Sequence, residues 1–103
     1  MDMDKRLDLL QQLLVQRYRG EIHDGQMLRF LRKKLLKMNQ TKYASLTGVS
    51  RRTLSAIENN TATPTMQVMA QIYRPLGMKV MLVPISPSLH QSMANELFQP
   101  DSD

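Results

Sequence analysis

The stretch NQTKYASLTGVSRRTLSAIENN, residues 39–60, decides the fold. It contains two short runs that look helical, with Gly48 between them and Ser50 two positions later. A glycine inside one continuous helix costs about 1 kcal/mol relative to alanine, so Gly48 indicates a turn. The hydroxyl of Ser50 can cap the helix that follows, because it accepts a hydrogen bond from an unpaired amide in the first turn. The stretch therefore predicts one helix from Gln40 to Thr47 and another from Ser50 to about Asn59.

Three segments outside this stretch also have helical patterns. Residues 3–19, 25–37 and 65–76 each repeat apolar side chains at spacings of three and four, which is the period of an amphipathic helix. Pro75 should end the last of these helices near residues 73–74. The apolar positions predicted to face the core are Leu7, Leu9, Leu10, Leu13, Leu14 and Tyr18, then Met27, Phe30, Leu31, Leu35 and Met38, and finally Met66, Met69, Ala70, Ile72, Tyr73 and Leu76.

The segment MKVMLVPI, residues 78–85, has the pattern of a β-strand. It is short, rich in β-branched residues, and bounded by Gly77 and Pro87. A lone strand leaves its amides and carbonyls unpaired, so its natural partner is the same segment of a second copy. We expect an antiparallel ribbon across a two-fold axis; the alternative is a coil that packs on the core. The dimer contacts predicted on this basis are Met78, Val80, Met81, Leu82 and Val83.

The predicted organisation follows from these segments. We expect an all-α bundle with an extra N-terminal helix and one C-terminal strand that pairs across a dimer. For the tail we favour disorder, although Leu89, Met93 and Leu97 have the spacing of a short helix. The units are an N-terminal amphipathic helix (1–19), a linker (20–25) with Asp24 as the N-cap of the next helix, a central helical domain (26–77), a dimerisation strand (78–85) and a flexible tail (86–103).

Composition excludes several classes of protein. The 103 residues suit one domain, and the absence of cysteine excludes disulfides and thiolate metal sites. The start MDMDKR lacks the positive charge of a signal peptide, and no apolar run approaches the roughly 18 residues of a membrane span. His23 and His90 fall in predicted loops, without a carboxylate cluster near them. We therefore expect a soluble cytoplasmic protein that is not an enzyme and has no cofactor and no metal.

Positive charge is concentrated in one segment. Between Met27 and Asn60 the chain has eight lysine and arginine residues and one acid, Glu58. Such a block is either a solvated helix surface or the binding surface for a polyanion, and charge alone does not decide between them.

Residues 40–59 fit the geometry in which one helix enters the DNA major groove and another braces it across the backbone. Ala44 is the small residue where the helices approach, and Gly48 supplies the turn. The segment resembles the helix-turn-helix of the lambda-repressor-like (xenobiotic-response-element) family, over about Met27 to Leu76. The residues that carry this resemblance are Gln40, Ala44, Gly48-Val49-Ser50, Thr53-Leu54, Ile57-Glu58-Asn59 and Pro64.

Two positions depart from the family pattern. Thr47 stands where the family prefers an apolar residue. Lys33 stands where the family usually has an arginine that pairs with the glutamate matched by Glu58.

The resemblance also implies the DNA contacts. Gln40 would touch a phosphate or an adjacent base from the bracing helix. The residues that would face the groove are Ser50, Arg51, Arg52, Thr53 and Ala56, and those that would contact the backbone are Lys37, Lys42, Asn59 and Asn60. Arginine can bind guanine O6 and N7 bidentately, so Arg51 or Arg52 is the predicted base reader, and the sequence does not choose between them.

The order of a helix-turn-helix domain followed by a strand, here LGMKVMLVPI, resembles that of HipB-like antitoxins. These proteins are the DNA-binding partners of kinase toxins in bacterial operons. This resemblance implies a homodimeric, autoregulating repressor of a palindromic double-stranded operator, located at the bacterial nucleoid, with a HipA-like kinase as its partner. The alternative is a stand-alone or phage-like repressor without a toxin. Residues 3–19 lie outside the pattern, and they would thicken the core, widen the dimer or dock a toxin.

Overall fold

A computed structural model describes residues 2–99 of the chain. Throughout that range the regular secondary structure is helical, so the predicted all-α bundle is confirmed. The α-helices of this range are α1 (Met3–Tyr18), α2 (Asp24–Phe30), α3 (Gln40–Thr47), α4 (Arg51–Glu58), α5 (Met66–Tyr73) and α6 (Pro87–Leu97). A π-helical turn, Leu31–Leu35, continues α2, and a 3-10 turn, Arg74–Leu76, continues α5.

A side chain caps the start of every one of these α-helices. The caps, each of which accepts a backbone N–H from the first turn, are Asp2, His23, Asn39, Ser50, Thr65 and Ser86. The prediction for Ser50 is confirmed, whereas the prediction of Asp24 as the cap of α2 is wrong by one residue. His23 takes that place because its Nδ1 accepts from the Gln26 amide at 3.1 Å, while the Gln26 side chain accepts from the His23 amide at 2.9 Å.

The turn between α3 and α4 forms where the sequence places it. Gly48 has a φ of 75°, in the left-handed region that costs a residue with a Cβ about 1–2 kcal/mol. Its amide donates to the Ala44 carbonyl at 3.0 Å and closes α3. The hydroxyl of Thr47, which is buried, donates to the same carbonyl at 3.2 Å. Thr47 is therefore accommodated without an unpaired polar atom.

The core lies where α2, α3, α4 and α5 meet the start of the π-turn. Leu28, Leu31, Tyr43, Leu54 and Ile72 are fully buried there. Three predicted core positions in α2 and α5 are wrong, since Phe30 and Met66 are 41% and 67% exposed and Ala70 is exposed as well. Leu28 faces inward in α2, which turns Phe30, two positions further along the helix, toward the outside. Met66 is the first residue of α5 and lies at the margin of the bundle.

Helix α1 packs against the body of the domain. Leu13 is buried in the core, and Leu9, Leu10 and Leu14 pack partly buried against it. Leu7 and Tyr18, at either end of the predicted stripe, are 56% and 65% exposed. Of the three roles considered for the N-terminal segment, thickening of the core is the one that these contacts support.

The C-terminal part differs from the sequence-based prediction in two ways. Residues 78–85 form no strand in the described single chain, because a strand requires a hydrogen-bonded neighbour and none lies alongside. The tail is helical over Pro87–Leu97, so the prediction of a flexible segment is wrong for these residues. Ser86 caps α6 and Pro87 occupies its first turn, which are ordinary helix-start signals. Residues 100–103 lie outside the described range.

Two buried tyrosines tie α5 to the other helices. The Tyr43 hydroxyl donates to the Ile72 carbonyl, and the Tyr73 hydroxyl donates to the Asp24 carbonyl at 2.6 Å. Burial raises the pKa of Tyr43 to about 12, and the nearby Glu58 carboxylate adds to the rise. Burial, with a smaller contribution from Asp24, also raises the pKa of Tyr73 well above its ordinary value.

We expect the free energy of unfolding to fall as the pH rises from about 10 to about 12. The folded state keeps these tyrosines neutral, whereas they ionise near pH 10 in the unfolded chain. The stabilisation is therefore complete below about pH 10 and is lost as the pH rises through the folded pKa. For Tyr43 the loss is on the order of 3 kcal/mol. Urea unfolding at stepped pH measures it, and an equally steep loss in Tyr43→Phe would contradict the assignment.

Candidate nucleic-acid interface

The end of α2 carries basic side chains toward α4. After the π-turn, Lys37 has a φ of 54°, and this left-handed residue reverses the chain into α3. A lysine in that conformation is uncommon, and strained residues of this kind concentrate at functional sites. An open depression of about 650 Å³ lies beside it, lined by Arg29, Arg32, Lys33, Lys37, Met38, Asn39, Gln40, Arg51, Glu58 and Asn59.

A buried ion pair joins the π-turn that continues α2 to α4 beneath this depression. Arg32 Nε donates to Glu58 Oε2 at 2.7 Å, and Arg32 Nη2 donates to Glu58 Oε1 at 2.9 Å. The two side chains are 4% and 1% exposed. The third guanidinium nitrogen, Nη1, donates to the Met38 carbonyl at 2.7 Å, so one arginine holds α4 and the chain reversal after the π-turn together. Such bidentate pairs are geometrically specific.

The same carboxylate orients Gln40. The Gln40 Nε2 donates to Glu58 Oε1 at 3.1 Å, which positions the first side chain of α3 against the last residue of α4. The Gln40 amide oxygen is left to accept from a ligand. No buried side-chain nitrogen or oxygen in the described chain lacks a hydrogen-bond partner.

The position of this arginine corrects a sequence-based assignment. Lys33 was matched to the family's paired arginine, but Lys33 is exposed and Arg32 makes the pair. The helical period explains why: Leu28, Leu31 and Arg32 are spaced by three and four residues and share the buried face. That spacing was a usable signal in the sequence.

Helix α4 presents its outer surface to a second open depression. Its volume is about 490 Å³, and the residues that line it are Gln40, Arg51, Arg52, Ser55, Ala56, Asn59 and Thr61. Arg51 and Arg52 are both exposed in the first turn of the helix. Arg51 and Gln40 line both depressions, so the two surfaces are continuous.

The first turn of α4 is fixed by a reciprocal contact. Ser50 Oγ accepts from the Thr53 amide at 3.1 Å and donates to Thr53 Oγ1 at 2.9 Å. The Thr53 hydroxyl keeps its own proton for a ligand, whereas Ser50 is occupied by the cap. The two arginines thus project from a helix end that is held in place.

Six of the ten predicted DNA-contact residues line these depressions: Lys37, Gln40, Arg51, Arg52, Ala56 and Asn59. Lys42 and Asn60 are exposed but line neither, while Ser50 and Thr53 form the cap just described. Sequence reasoning missed Arg29, Lys33, Ser55 and Thr61 as lining residues. Arg29 and Lys33 precede Lys37 at intervals of four residues, and this spacing, typical of one helix face, could have identified both of them.

Residues 25–79 match the model of a family described as a helix-turn-helix domain. This match covers more than half of the 103 residues. The chain belongs to this helix-turn-helix family. The helix-turn-helix match begins in the first turn of α2 and ends just after the 3-10 turn, so α1 and α6 lie outside it. No curated protein and no solved structure matches the chain.

The helix-turn-helix surface has one sign of charge. Within Met27–Asn60 the single acid, Glu58, is buried against Arg32. The other basic residues of this segment are all exposed: Arg29, Lys33, Lys34, Lys37, Lys42, Arg51 and Arg52. Seven cations without an exposed acid among them form a potential that attracts a polyanion. The helix-turn-helix identity supports a DNA-binding regulator, and a positively charged surface agrees with a polyanion as its partner.

Residues 2–99 contain no group of three or more histidine, aspartate or glutamate residues that could hold a metal ion. None of the helices in that range is both long enough and apolar enough to span a bilayer. Helix-turn-helix DNA-binding families are typically non-enzymatic.

Proposed function

We propose that this protein is a sequence-specific transcriptional repressor that acts at the bacterial nucleoid in the cytoplasm. The observation that carries the proposal is the pair Arg51 and Arg52, exposed in the first turn of α4 within a surface whose exposed charges are all positive. Helices with this placement enter the major groove and contact base edges with their N-terminal residues. The buried Arg32–Glu58 pair holds α4 against α2 and so supports its presentation.

The two depressions suggest a division between base reading and phosphate contact. Arg52 lines only the depression on the outer surface of α4, beside Ala56, and we assign base reading to it. Arg51 also lines the basic depression with Lys33 and Lys37, so we assign it to the phosphate backbone. Phosphate contacts fix the register of the protein on DNA, and base contacts supply specificity. This assignment is our proposal for the choice between Arg51 and Arg52 that the sequence leaves open.

Substituting one residue of each kind tests the proposal. In Arg52→Ala, discrimination against a mismatched base pair should fall by about 1–3 kcal/mol, because a bidentate contact to guanine is lost. In Lys37→Ala, all sequences should bind more weakly, and the slope of log affinity against log salt should fall by about 0.9. Selection from a randomised DNA library, followed by titration of the best site at several salt concentrations, measures both effects.

The matched control is Lys34→Ala, which removes the same charge from an exposed residue that lines neither depression. Lys34→Ala should leave the sequence preference unchanged, and it should not cause the loss of affinity that Lys37→Ala causes through its phosphate contact. Equal effects of Lys34→Ala and Arg52→Ala would mean that binding reflects net charge alone, and the proposed reading role of α4 would be wrong.

The proposed operator is palindromic, with half-sites about one helical turn apart. Reading both half-sites requires a homodimer, and the segment Met78–Val83 is the proposed contact. Val80, Met81, Leu82 and Val83 are exposed in the single chain, and an extended segment of this composition can pair its backbone with a second copy. A footprint without dyad symmetry would count against the dimer.

A second activity, neutralisation of a HipA-like kinase toxin, follows from the HipB-like resemblance of residues 78–85. Helix α1 lies outside the helix-turn-helix match and exposes Leu7 and Val15, so it offers a surface on which a toxin could dock. Co-expression with the product of the adjacent gene and co-purification tests this role. A stable complex with a kinase would favour the antitoxin, and solitary repressor would favour the stand-alone alternative.

A further inference from the structure

The C-terminal arm, residues 80–98, leaves large apolar side chains in water. Leu82, Ile85 and Phe98 are 87%, 100% and 82% exposed. The complete set of exposed large apolar residues in the arm is Val80, Met81, Leu82, Val83, Ile85, Leu89, Met93, Leu97 and Phe98. Monomeric soluble proteins rarely expose a contiguous apolar surface of more than a few hundred Å². The arm therefore has the composition of an interaction surface.

One face of helix α6 lies toward the rest of the chain, and the adjacent face is exposed to solvent. His90 and Ala94, four residues apart, are half-buried. The His90 ring meets the Tyr18 ring edge-on, with 5.4 Å between centroids, so this face lies toward α1. The adjacent stripe of Leu89, Met93 and Leu97, also spaced by four, is 53%, 36% and 66% exposed. That spacing is the usual contact pattern of one helix packing on another.

The dimensions of the chain agree with an unpartnered arm. Its radius of gyration is 15.3 Å, whereas a compact chain of this length has a value of roughly 13 Å. The principal extents are 49 × 32 × 25 Å. The single chain is thus more elongated than its length requires, as expected when an element packs against something outside the chain.

Charge indicates which kind of partner the arm can accept. Glu96 is the only residue of the arm with a formal charge at neutral pH. Such a surface offers nothing to a phosphate backbone, and it carries little like-charge repulsion against a copy of itself. A two-fold interface needs that property, because the same patch meets itself across the axis.

The exposed area is sufficient for a stable dimer. The fractional exposures of the nine side chains amount to between five and six fully exposed large residues, or on the order of 1,000 Å² at roughly 180 Å² each. A standard interface takes about 800 Å² from each partner. A second arm that covered most of this surface would therefore give an interface of the usual size.

We propose that the C-terminal arm is the self-association surface of this protein and that its occupant is the arm of a second copy, with the Leu89–Met93–Leu97 stripe of α6 at the centre. The interface extends the proposed contact at Met78–Val83 into a helical seam. Its role in operator binding rests on the proposed function, but the association itself does not. Two domains joined in this way would present two α4 helices to one palindrome.

Sedimentation equilibrium of the full chain in the absence of DNA is the test. The wild type should be a dimer at micromolar concentration, and Leu89→Glu/Leu97→Glu should raise the dimer dissociation constant by more than about 100-fold. The control is Leu7→Glu, an equally exposed leucine of α1 outside the arm, which should leave the dimer intact. Circular dichroism confirms that each variant is folded, since the substituted side chains are exposed.

Every outcome decides the proposal. A monomeric wild type, or a dimer that survives Leu89→Glu/Leu97→Glu, overturns it. Failure of the proposed function looks different: the dimer would form and dissociate as expected while no DNA sequence is preferred. If both proposals hold, the monomeric variant should still prefer a half-site but lose the gain in affinity from the second half-site.

Discussion

Replacing Arg32 with alanine is expected to lower the free energy of unfolding by about 3–5 kcal/mol. The substitution removes the bidentate partner of Glu58 and leaves that carboxylate 1% exposed without a counter-ion. It also removes the donor to the Met38 carbonyl, which holds the chain reversal after the π-turn. Single domains are stable by only about 5–15 kcal/mol, so this change threatens folding at ordinary temperature.

Urea unfolding followed by circular dichroism measures the loss for Arg32→Ala. The matched control is Lys33→Ala, which removes a neighbouring charge that is exposed; its effect should stay within about 0.5 kcal/mol. The double variant Arg32→Met/Glu58→Leu should recover much of the loss, because an apolar pair of similar volume often replaces a buried ion pair at little cost. An Arg32→Ala protein as stable as Lys33→Ala would refute the assignment of the pair.

The double variant also separates stability from DNA binding. It restores a neutral core but removes the Glu58 oxygen that holds the Gln40 side chain. If that hydrogen bond orients Gln40 toward the DNA, the refolded variant should bind its site more weakly than the wild type while remaining fully folded. Stability of the bundle and the geometry of the interface would then depend on the same carboxylate for different reasons.

Local signals explain which parts of the fold could be predicted. The bounds of α3, the turn at Gly48 and the cap at Ser50 depend on residues within a few positions of each other. Glycine tolerates the left-handed conformation, and a serine hydroxyl reaches an amide three residues on. Such features are written in the sequence because their physical causes are local. The family match over residues 25–79 agrees with this part of the interpretation.

The errors arise where distant parts of the chain decide the outcome. Arg32 and Lys33 are adjacent and equally basic; the helical period places Arg32 on the buried face with Leu28 and Leu31, but its pairing with Glu58, 26 residues away, depends on the packing of α2 and the π-turn against α4. Residues 78–85 have strand composition, but a strand also needs a neighbour, and the described chain provides none. For α6, the Ser86 cap and the spacing of Leu89, Met93 and Leu97 are helix signals in the sequence. The polar composition of the tail nevertheless favours disorder, which is why the sequence-based prediction differs from the structure. The basic depression likewise depends on how the π-turn places Lys37 beside Arg51.

The close approach of α2 and α4 depends on one residue without a side chain. Gly25, in the first turn of α2, is buried. A Cβ at this position would meet the Ile57 carbonyl oxygen and lie 2.8 Å from the Glu58 carbonyl oxygen and 3.0 Å from its carbon. These are backbone atoms of α4, which cannot rotate away as a side chain would. The two helices would have to separate.

We therefore expect Gly25→Ala to lower the free energy of unfolding by about 3 kcal/mol, the upper end of the usual cost of overpacking, because the Cβ would meet backbone atoms. A loss of stability would indicate the collision with α4, because alanine normally stabilises a helix by about 1 kcal/mol relative to glycine. Gln67→Ala, at the equivalent second position of α5 and exposed, is the control and should change stability by less than about 0.5 kcal/mol. Thermal and urea unfolding measure both variants, and a Gly25→Ala protein as stable as the wild type would contradict the packing of α2 on α4. Because that packing also brings Arg32 to Glu58 and presents Arg51 and Arg52, any Gly25→Ala protein that still folds should lose DNA affinity although the substituted residue lies beneath the interface.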